Sequence, residues 1–580
     1  MISQENTEIL VVGGGVGGTV AALQAAHCGI NTILVSEEVW LGGMLSSAGV
    51  AAPDGNELAA WQTGFWGAYL RQLQHRQQGG LDNAWVSMFT YDPRVGAAIF
   101  ADWVNQQPNL TWISGETPLE VYQQGNQVLG VRFADWDIRA KIIIDATELG
   151  DLLALVGNYR WGWEWQSEFG EPSAPTGLNE LTSRYPVQAP TWVVLMQDYG
   201  ENDRAPVIAA SSQDNPEIFA GAWENYGAQK FLDYGRLPGD LLMLNWPISG
   251  NDYGVNLGRL VASDAAKEEF LQEAKDYSQS FARFMQNQLG RRYGLAKNVF
   301  PQADSGFALH PYYRESRRLQ GMVTLTENEI LPVAGGRVAA LPWTATGEVS
   351  AIAIGNYPND HHYPGVDFPL QPKSLPWGGR ITGTPFPIPY GCLVPARVEG
   401  LLVAEKNISV SHLANGSTRL QPVVMNIGQA AGMAAALCVK FNCQPQELPV
   451  RKLQEALLRS RFAPAAIIPL FNLPPEHPDW LKWQLFYLDN PDAYPLDGNC
   501  PHLTQFESPI VTGDRYRGTF VQHNQHEYRL QVRGRSWKLV TLRPEVNKQF
   551  LTLASGKLVS LWGNYNPAGD WLVVEKISGL

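Results

Sequence analysis

The sequence predicts an α/β fold with an inserted α+β region and a small β-barrel at its carboxyl end, and three observations predict it. A short apolar run, Ile9-Leu10-Val11-Val12, leads into Gly13-Gly14-Gly15-Val16-Gly17-Gly18 and then a small-residue run as far as His27, the pattern of strand, tight turn and helix. From about residue 160 to 385 the pattern changes, and it then returns in the apolar run 400–404 and a small-residue helix over 422–440. Five short β-type segments separated by turn residues follow residue 516.

The opening segment carries chemistry. Gly13 permits the strand-to-helix turn, Gly15 lets a pyrophosphate approach the backbone, and Gly18 with Ala22 lets the helix lie close on the sheet. Val16 and Gly17 open the helix, whose free N–H groups and partial positive charge suit a diphosphate. A second strand over 32–35 closes on Glu37 and Glu38, where a carboxylate can accept hydrogen bonds from ribose hydroxyls. A glycine-rich turn alone serves structure equally well, but strand, helix, second strand and acid in this order read as a Rossmann-like dinucleotide site. The fingerprint does not separate FAD from NAD. Gly42-Gly43-Met44-Leu45-Ser46-Ser47 resembles the FAD domain of the glutathione reductase type, in which this turn runs beneath the flavin. The resemblance adds Gly42, Gly43, Met44 and Ser47 to the cofactor set.

Composition narrows the function classes. The 580 residues suffice for two or three domains, and a formal charge of −13 with no basic run argues against a nucleic-acid partner. The first residues lack the basic stretch and apolar core of a signal peptide, and no apolar run approaches the length of a membrane span, so a soluble cytoplasmic protein is expected. Five cysteines without C-x-x-C fit a reducing compartment and argue against a redox disulfide. No metal spacing is present, and the adjacent pair His361-His362 would point apart on a strand.

Along the chain, the pattern predicts a helix over 93–106 and strands over 110–113, 119–122 and 128–133. A further strand, 141–145, ends in Asp145-Ala146-Thr147. In the middle region, strands are expected over 192–197 and 241–245. A helix over 264–289 would carry Phe270, Ala274, Tyr277, Phe281, Phe284 and Gln288 as a core stripe, stopped by Gly290. The helix over 422–440 is built for close packing on the cofactor domain. The expected organisation is a discontinuous cofactor domain (1–160 and 385–445), an inserted substrate domain (161–384), a helix and proline-rich connector (446–505), and a barrel of SH3-like or OB-like kind (506–580). The barrel would stabilise the chain or mediate self- or partner contacts.

Several separated motifs converge on one family. They are the fingerprint, Gly42-Gly43, Asp145-Ala146-Thr147, Gly162-Trp163-Glu164, Tyr313-Arg314-Glu315-Ser316-Arg317-Arg318, Asp360-His361-His362, and the stretch from Ile388-Pro389-Tyr390-Gly391 through His412 and Ser417-Thr418-Arg419 to Gly428-Gln429-Ala430-Ala431-Gly432. Over residues 8 to 440 the chain resembles the FAD-dependent oxidoreductases distantly similar to fumarate reductase and succinate dehydrogenase flavoproteins. It departs from them at Glu148 and Glu405, where glycine is common.

The resemblance implies that Ala146 and Thr147 line the dinucleotide, that Asn426, Ile427 and Gly428 approach it, and that His412 and Arg419 lie near the flavin. It implies non-covalent FAD, because Met44, Ser46 and Ser47 stand where tethering relatives carry a histidine. For chemistry, Arg314, Arg317 and Arg419 suit a substrate carboxylate or charge on reduced flavin, His361 and His412 a base, and Tyr390 a donor. Two plainer readings stand beside these. Arg317 and Arg318 with Glu315 could form an internal salt-bridge network, and His361 and His362 could be structural. The expected function is hydride transfer between a small or medium organic substrate and FAD. Alternatives are a flavin monooxygenase using external NAD(P)H, a flavin-holding interaction protein and, more remotely, a tRNA-modifying flavoprotein. No second G-x-G-x-x-G marks a nicotinamide domain, and the electron acceptor (oxygen, quinone or protein carrier) stays open.

Overall fold

The computed structural model describes residues 2–212, 214–301, 306–504, 506 and 513–579. Its centre is a seven-stranded sheet. The first strand, Ser3–Val12, lies between Thr32–Ser36 and Trp136–Asp145, with all three parallel and Leu110–Ser114 beyond Thr32–Ser36. Ile9 to Val12 are all buried, so both faces of this part of the strand are covered, which is why the run is continuously apolar rather than alternating.

Trp136–Asp145 is longer than the apolar run suggests, and its two ends take different partners. Its first half pairs antiparallel with Gln127–Arg132, which pairs in turn with Glu120–Gln124, while Ile143 to Asp145 pair parallel with Leu401–Val403. A strand some 250 residues downstream thereby rejoins the sheet beside the fingerprint.

The helices Val16–His27 and Gln421–Phe441 cross at glycine. A Cβ on Gly428 would stand 2.2 Å from the carbonyl oxygen of Gly17, and one on Gly432 2.2 Å from that of Ala21. The small residues of Gln421–Phe441 serve this approach. One expectation is corrected here: Gln421–Phe441 is long and apolar enough to span a membrane, with mean hydropathy 1.5, but 89 % of it is buried inside the protein. Its apolarity answers to the core.

In the middle region a four-stranded sheet runs in the order Tyr293–Leu295, Val194–Asp198, Leu241–Leu244, Arg236–Leu237. The helix Asp264–Leu289 packs beside it, started by the Ser263 side chain, which accepts from the Ala266 N–H, and ended at Gly290 with φ +91°. Phe270, Ala274, Phe281 and Phe284 are buried as expected, whereas Gln288 is exposed and Tyr277 borders a cleft.

Residues 514–579 close a barrel in the order Asp514–Asn524, Glu527–Val532, Arg535–Val540, Trp571–Gly579, Leu558–Asn566. Its own core holds Phe520, Tyr528, Leu530, Leu539, Phe550 and Leu572. The helix Gly64–Arg76 escaped the sequence reading, as did two helices beyond residue 461: Pro544–Thr552, inside the barrel segment, and Trp480–Asp489, inside the proline-rich connector. In the latter, Gln484 is buried and accepts from the backbone of Ile467 and Ile468, a role that hydrophobic periodicity does not signal. The barrel is seated on the rest of the chain through Asn566, which donates to Asp82 Oδ1 at 2.6 Å and to the Ala84 carbonyl at 2.8 Å.

Gly428→Val tests the helix crossing. Overpacking against backbone leaves no flexible neighbour to yield, and a loss of at least 1–3 kcal/mol is expected, read as a lower urea midpoint. An unchanged midpoint would mean that the two helices do not meet at this residue.

Candidate active site

Two clefts and a buried polar network meet around the carboxyl ends of the parallel strands. The first cleft is lined by Gly13, Gly14, Gly15, Glu37, Glu38, Gly43, Ser47, Ala146, Thr147 and Glu148, together with Trp192, His310 and Tyr313. Gly13 has φ +113°, and a Cβ there would strike the Ala146 carbonyl oxygen at 2.1 Å, so both turn geometry and close approach require glycine. Gly43, at φ +45°, closes against Gly15: its Cβ would lie 2.8 Å from the Gly15 Cα. The Gly42 N–H bonds to the Gly14 carbonyl at 2.9 Å, tying the second glycine turn to the first.

Three charged side chains lie against this loop. Lys406 Nζ bonds Glu148 Oε2 at 2.5 Å and Glu405 Oε1 at 3.1 Å, and Glu405 Oε2 accepts the Gly17 N–H at 2.8 Å. The two departures from the family pattern are thus joined through one buried lysine. Burial raises the Glu405 carboxyl above its ordinary range against the pull of Lys406. The expectation that the helix N-terminus is free for a diphosphate is corrected at Gly17, whose N–H is taken. Glu148 Oε1 is buried and lacks a hydrogen-bond partner. Gly13 to Gly15, Gly43 and Glu37 line this cleft together, a glycine-rich turn beside a carboxylate, and such a lining fits a dinucleotide.

Other cofactor expectations move. Gly17 and Gly18 face protein: a Cβ on Gly17 would meet the Ala404 carbonyl oxygen at 1.5 Å and one on Gly18 the Gly13 oxygen at 2.0 Å. Val16, Met44 and Ile427 are core residues, and Gly42 packs on Phe100. Asn426 and Gly428 lie within the closing helix, Gly428 against Gly17, so neither borders the cleft. The residues before and at that helix's start, Arg419, Leu420 and Gln421, do border a cleft, but the second one. His310, which escaped the sequence reading, stands with Nε2 3.0 Å from Ser47 Oγ.

The second cleft is lined by Asp54, Tyr234, Asn245, Asp252, Tyr277, Tyr312, Arg314, Tyr357, Asp360, His361, His362 and Arg419. Arg419 donates to Tyr312 Oη at 2.6 Å and to Asp360 Oδ2 at 3.1 Å. Arg314 donates to the Ala189 carbonyl at 2.6 Å and pairs with Asp252 Oδ1 at 3.1 Å. His362 bridges the two acids, Nδ1 to Asp252 Oδ2 at 2.6 Å and Nε2 to Asp360 Oδ2 at 3.0 Å. Arg314 and His362 hold Asp252 down to about 2 although burial opposes them. Asp54 is the exception, because burial and the neighbouring acids Glu57 and Asp360 push its carboxyl well up. No local motif marks Asp54 or Asp252; each is a single acid that the fold brings in from a distant loop.

Three proposed catalytic residues lie elsewhere. Arg317 donates to the Leu149 carbonyl at 2.9 Å and Asp151 at 3.1 Å, bracing the loop after Asp145-Ala146-Thr147. Tyr390 is buried and donates to the Pro445 carbonyl at 2.9 Å. His412 is 1 % exposed, with Nδ1 2.9 Å from Glu315 Oε1 and its ring 3.9 Å from that of Trp163. It belongs to an acid-rich interior: Arg318 pairs with both Glu315 and Glu164, while Glu171 accepts from Ser411 and from the Glu327 N–H. The salt-bridge reading therefore holds for Arg318 and Glu315. Burial raises Glu171 to about 7. Among the described residues no cluster of metal-ligating side chains occurs.

Lys406→Met leaves Glu148 and Glu405 without their cation, and breaking a buried pair from one side costs about 3–5 kcal/mol; denaturant unfolding at pH 8 should show it, and an equal midpoint would discount the bridge. Glu171 gives a pH test. Its folded pKa, about 7, stands above the ordinary 4.5, so the folded chain binds the extra proton between those values and stability falls as pH rises through that window. Glu171→Gln should flatten the fall in unfolding free energy across it, and an unaltered slope would assign the effect elsewhere.

Residues 8–457 match the family model described as FAD dependent oxidoreductase. No curated protein matches the chain. Among solved structures, a geranylgeranyl bacteriochlorophyll reductase-like protein from Thermoplasma acidophilum aligns with TM-score 0.32 and 12 % identity over 79 % of this chain and 84 % of that one. A p-nitrophenol 4-monooxygenase from Pseudomonas putida aligns with TM-score 0.23 and 14 % identity over 34 % of this chain and 48 % of the other. The family match runs from the first strand to the helix Val450–Leu458 and takes in both clefts; the chain belongs to the FAD-dependent oxidoreductases, with FAD as its cofactor.

Proposed function

We propose that the protein exchanges hydride between non-covalently held FAD in the first cleft and a small, oxygen-rich polar substrate in the second. The observation that carries this reading is the segment between the clefts. His310, Pro311 and Tyr313 line the first, while Tyr312 and Arg314 line the second, so one extended stretch of backbone separates them. Its register is fixed by the pair of hydrogen bonds between Thr191 and Tyr312, at 2.8 and 3.1 Å.

Bound FAD supplies the hydride acceptor or donor. Gly13 to Gly15, Gly43, Ala146 and Thr147 would hold its diphosphate side, with Glu37 and Glu38 beside the ribose. On the substrate side, Arg314 and Arg419 bring two guanidinium groups to the cleft wall. Tyr234, Tyr277 and Tyr357 add polar-tipped walls. Asp54, whose carboxyl is pushed well up by burial and by Glu57 and Asp360, stands at the cleft wall. This donor-rich lining supports a carboxylate or polyhydroxyl substrate over an apolar one. The five free cysteines and acidic charge support a cytoplasmic enzyme.

The absorption spectrum of the purified protein before and after acid precipitation tests the cofactor arrangement: the flavin band should pass to the supernatant as FAD. A band retained in the pellet would mean a covalent link, and reduction by NAD(P)H coupled to hydroxylation would replace the dehydrogenase reading with a monooxygenase. Gly15→Val should yield protein without the band, because the added Cβ would stand 2.7 Å from Glu405 Oε2 and 3.1 Å from Glu148 Oε1 and displace the glycine loop that borders the cleft. Arg419→Ala should keep FAD and lower kcat/KM by about 10–100-fold, the worth of a charge-assisted hydrogen bond; unchanged turnover would remove Arg419 from substrate binding.

A further inference from the structure

A chain of four hydrogen bonds leaves the wall of the second cleft and ends in the acid-rich interior. His361 Nε2 faces the Leu413 carbonyl at 3.0 Å, and its Nδ1 faces Tyr363 Oη at 2.9 Å. Tyr363 Oη lies 2.5 Å from His412 Nε2, and His412 Nδ1 lies 2.9 Å from Glu315 Oε1. Both ends, a carbonyl and a carboxylate, only accept. Each of the four bonds needs one proton, but two neutral imidazoles and one phenol supply three. With all groups neutral, Tyr363 faces a lone pair on each side and can donate to only one. One added proton completes all four bonds, and on His361 or on His412 it makes that ring an imidazolium.

The charge around the chain points the same way. Arg318 is 0 % exposed and sits between Glu164 and Glu315, themselves buried, so this core carries one negative charge more than positive before Glu171 and Glu327 are counted. On the cleft side, His361 is faced by Arg419, Asp360 and His362. Burial, joined by Arg419 at His361 and by His361 and Arg318 at His412, pushes the His361 ring down to about 4 and His412 well below the ordinary value, the cost that the fourth bond and the surplus carboxylate must offset.

We propose that His361, Tyr363, His412 and Glu315 form a proton-storing chain that holds one proton beyond what its neutral groups supply and presents it, by shifts along bonds already made, at the wall of the substrate cleft. The four act as positioning residues that place a movable positive charge beside the cleft. The inference rests on the assignment of that cleft to substrate, but the bond count does not depend on the flavin.

Nitrogen-15 NMR of the holoprotein labelled at histidine tests it, with His361→Gln and His412→Gln used to assign the two rings among ten. At pH 7 the wild type should show the added proton as imidazolium character on one ring or shared between both. Tyr363→Phe removes the middle link, after which two neutral rings satisfy Leu413 and Glu315, and the imidazolium signal should vanish. Two neutral rings in the wild type at pH 7 would overturn the proposal. If Tyr363→Phe fails to fold, the wild-type spectrum alone decides. The flavin absorption of the same sample reports separately on the cofactor reading, so either can fail without the other.

Discussion

Gly17 is the point on which the architecture turns. A Cβ there would overlap the carbonyl of Ala404, and the same residue's backbone meets Gly428 across the helix crossing. Three segments far apart in sequence (the fingerprint helix, the end of the late strand and the closing helix) are therefore in contact at one residue without a side chain. That closeness lets Glu405 reach the helix N-terminus and cap the Gly17 N–H. A carboxylate at the positive end of a helix is favourable, yet its burial beside Glu148 is not, and Lys406 is what makes the arrangement tenable. The Gly17 N–H is thus taken by protein, while Gly13 to Gly15 line the first cleft.

The parts legible in the sequence were those carried by periodicity and by turn residues. The run Ile9 to Val12, the helix Asp264–Leu289 and the five barrel strands each bury or pair many residues at a fixed spacing, so pattern and structure agree. Small residues were legible too, but only as a sign of close approach. Gly428 approaches Gly17 and not the cofactor, and composition cannot say which surface a glycine meets. The amphipathic readings failed where a polar residue is bought into the core by its own hydrogen bonds, as with Gln484.

Single catalytic-type residues were the least legible. Arg314, Arg419 and His361 border the second cleft, while Arg317, Tyr390 and His412, equally plausible by chemistry, brace backbone or lie in the interior. The residue type is the same in both roles. What separates them is a register: in the stretch 310–319, neighbouring arginines point into a cleft, under the dinucleotide loop and into the buried acid cluster in turn. Asp54, Asp252 and His310 were missed for the converse reason, since nothing near them in sequence marks the site they help build.

The acid-rich interior also has a mechanical consequence. Glu164, Glu171, Glu315, Arg318 and Glu327 come from the middle region, whereas Ser411 and His412 come from the segment that carries Arg419 into the cleft. The His412 N–H is held by Glu164 at 2.7 Å and the Asn415 side chain by the Arg314 carbonyl at 2.9 Å. These bonds fasten the helix His412–Thr418 to the segment bearing Arg314, so the two cleft arginines are positioned by one polar network rather than by two independent loops. Burying so many charges is costly unless they are paired or hydrogen-bonded, and here those bonds fix the relative placement of Arg314 and Arg419 at the second cleft. A change in the protonation of this interior would therefore be felt at Arg314 and Arg419 together.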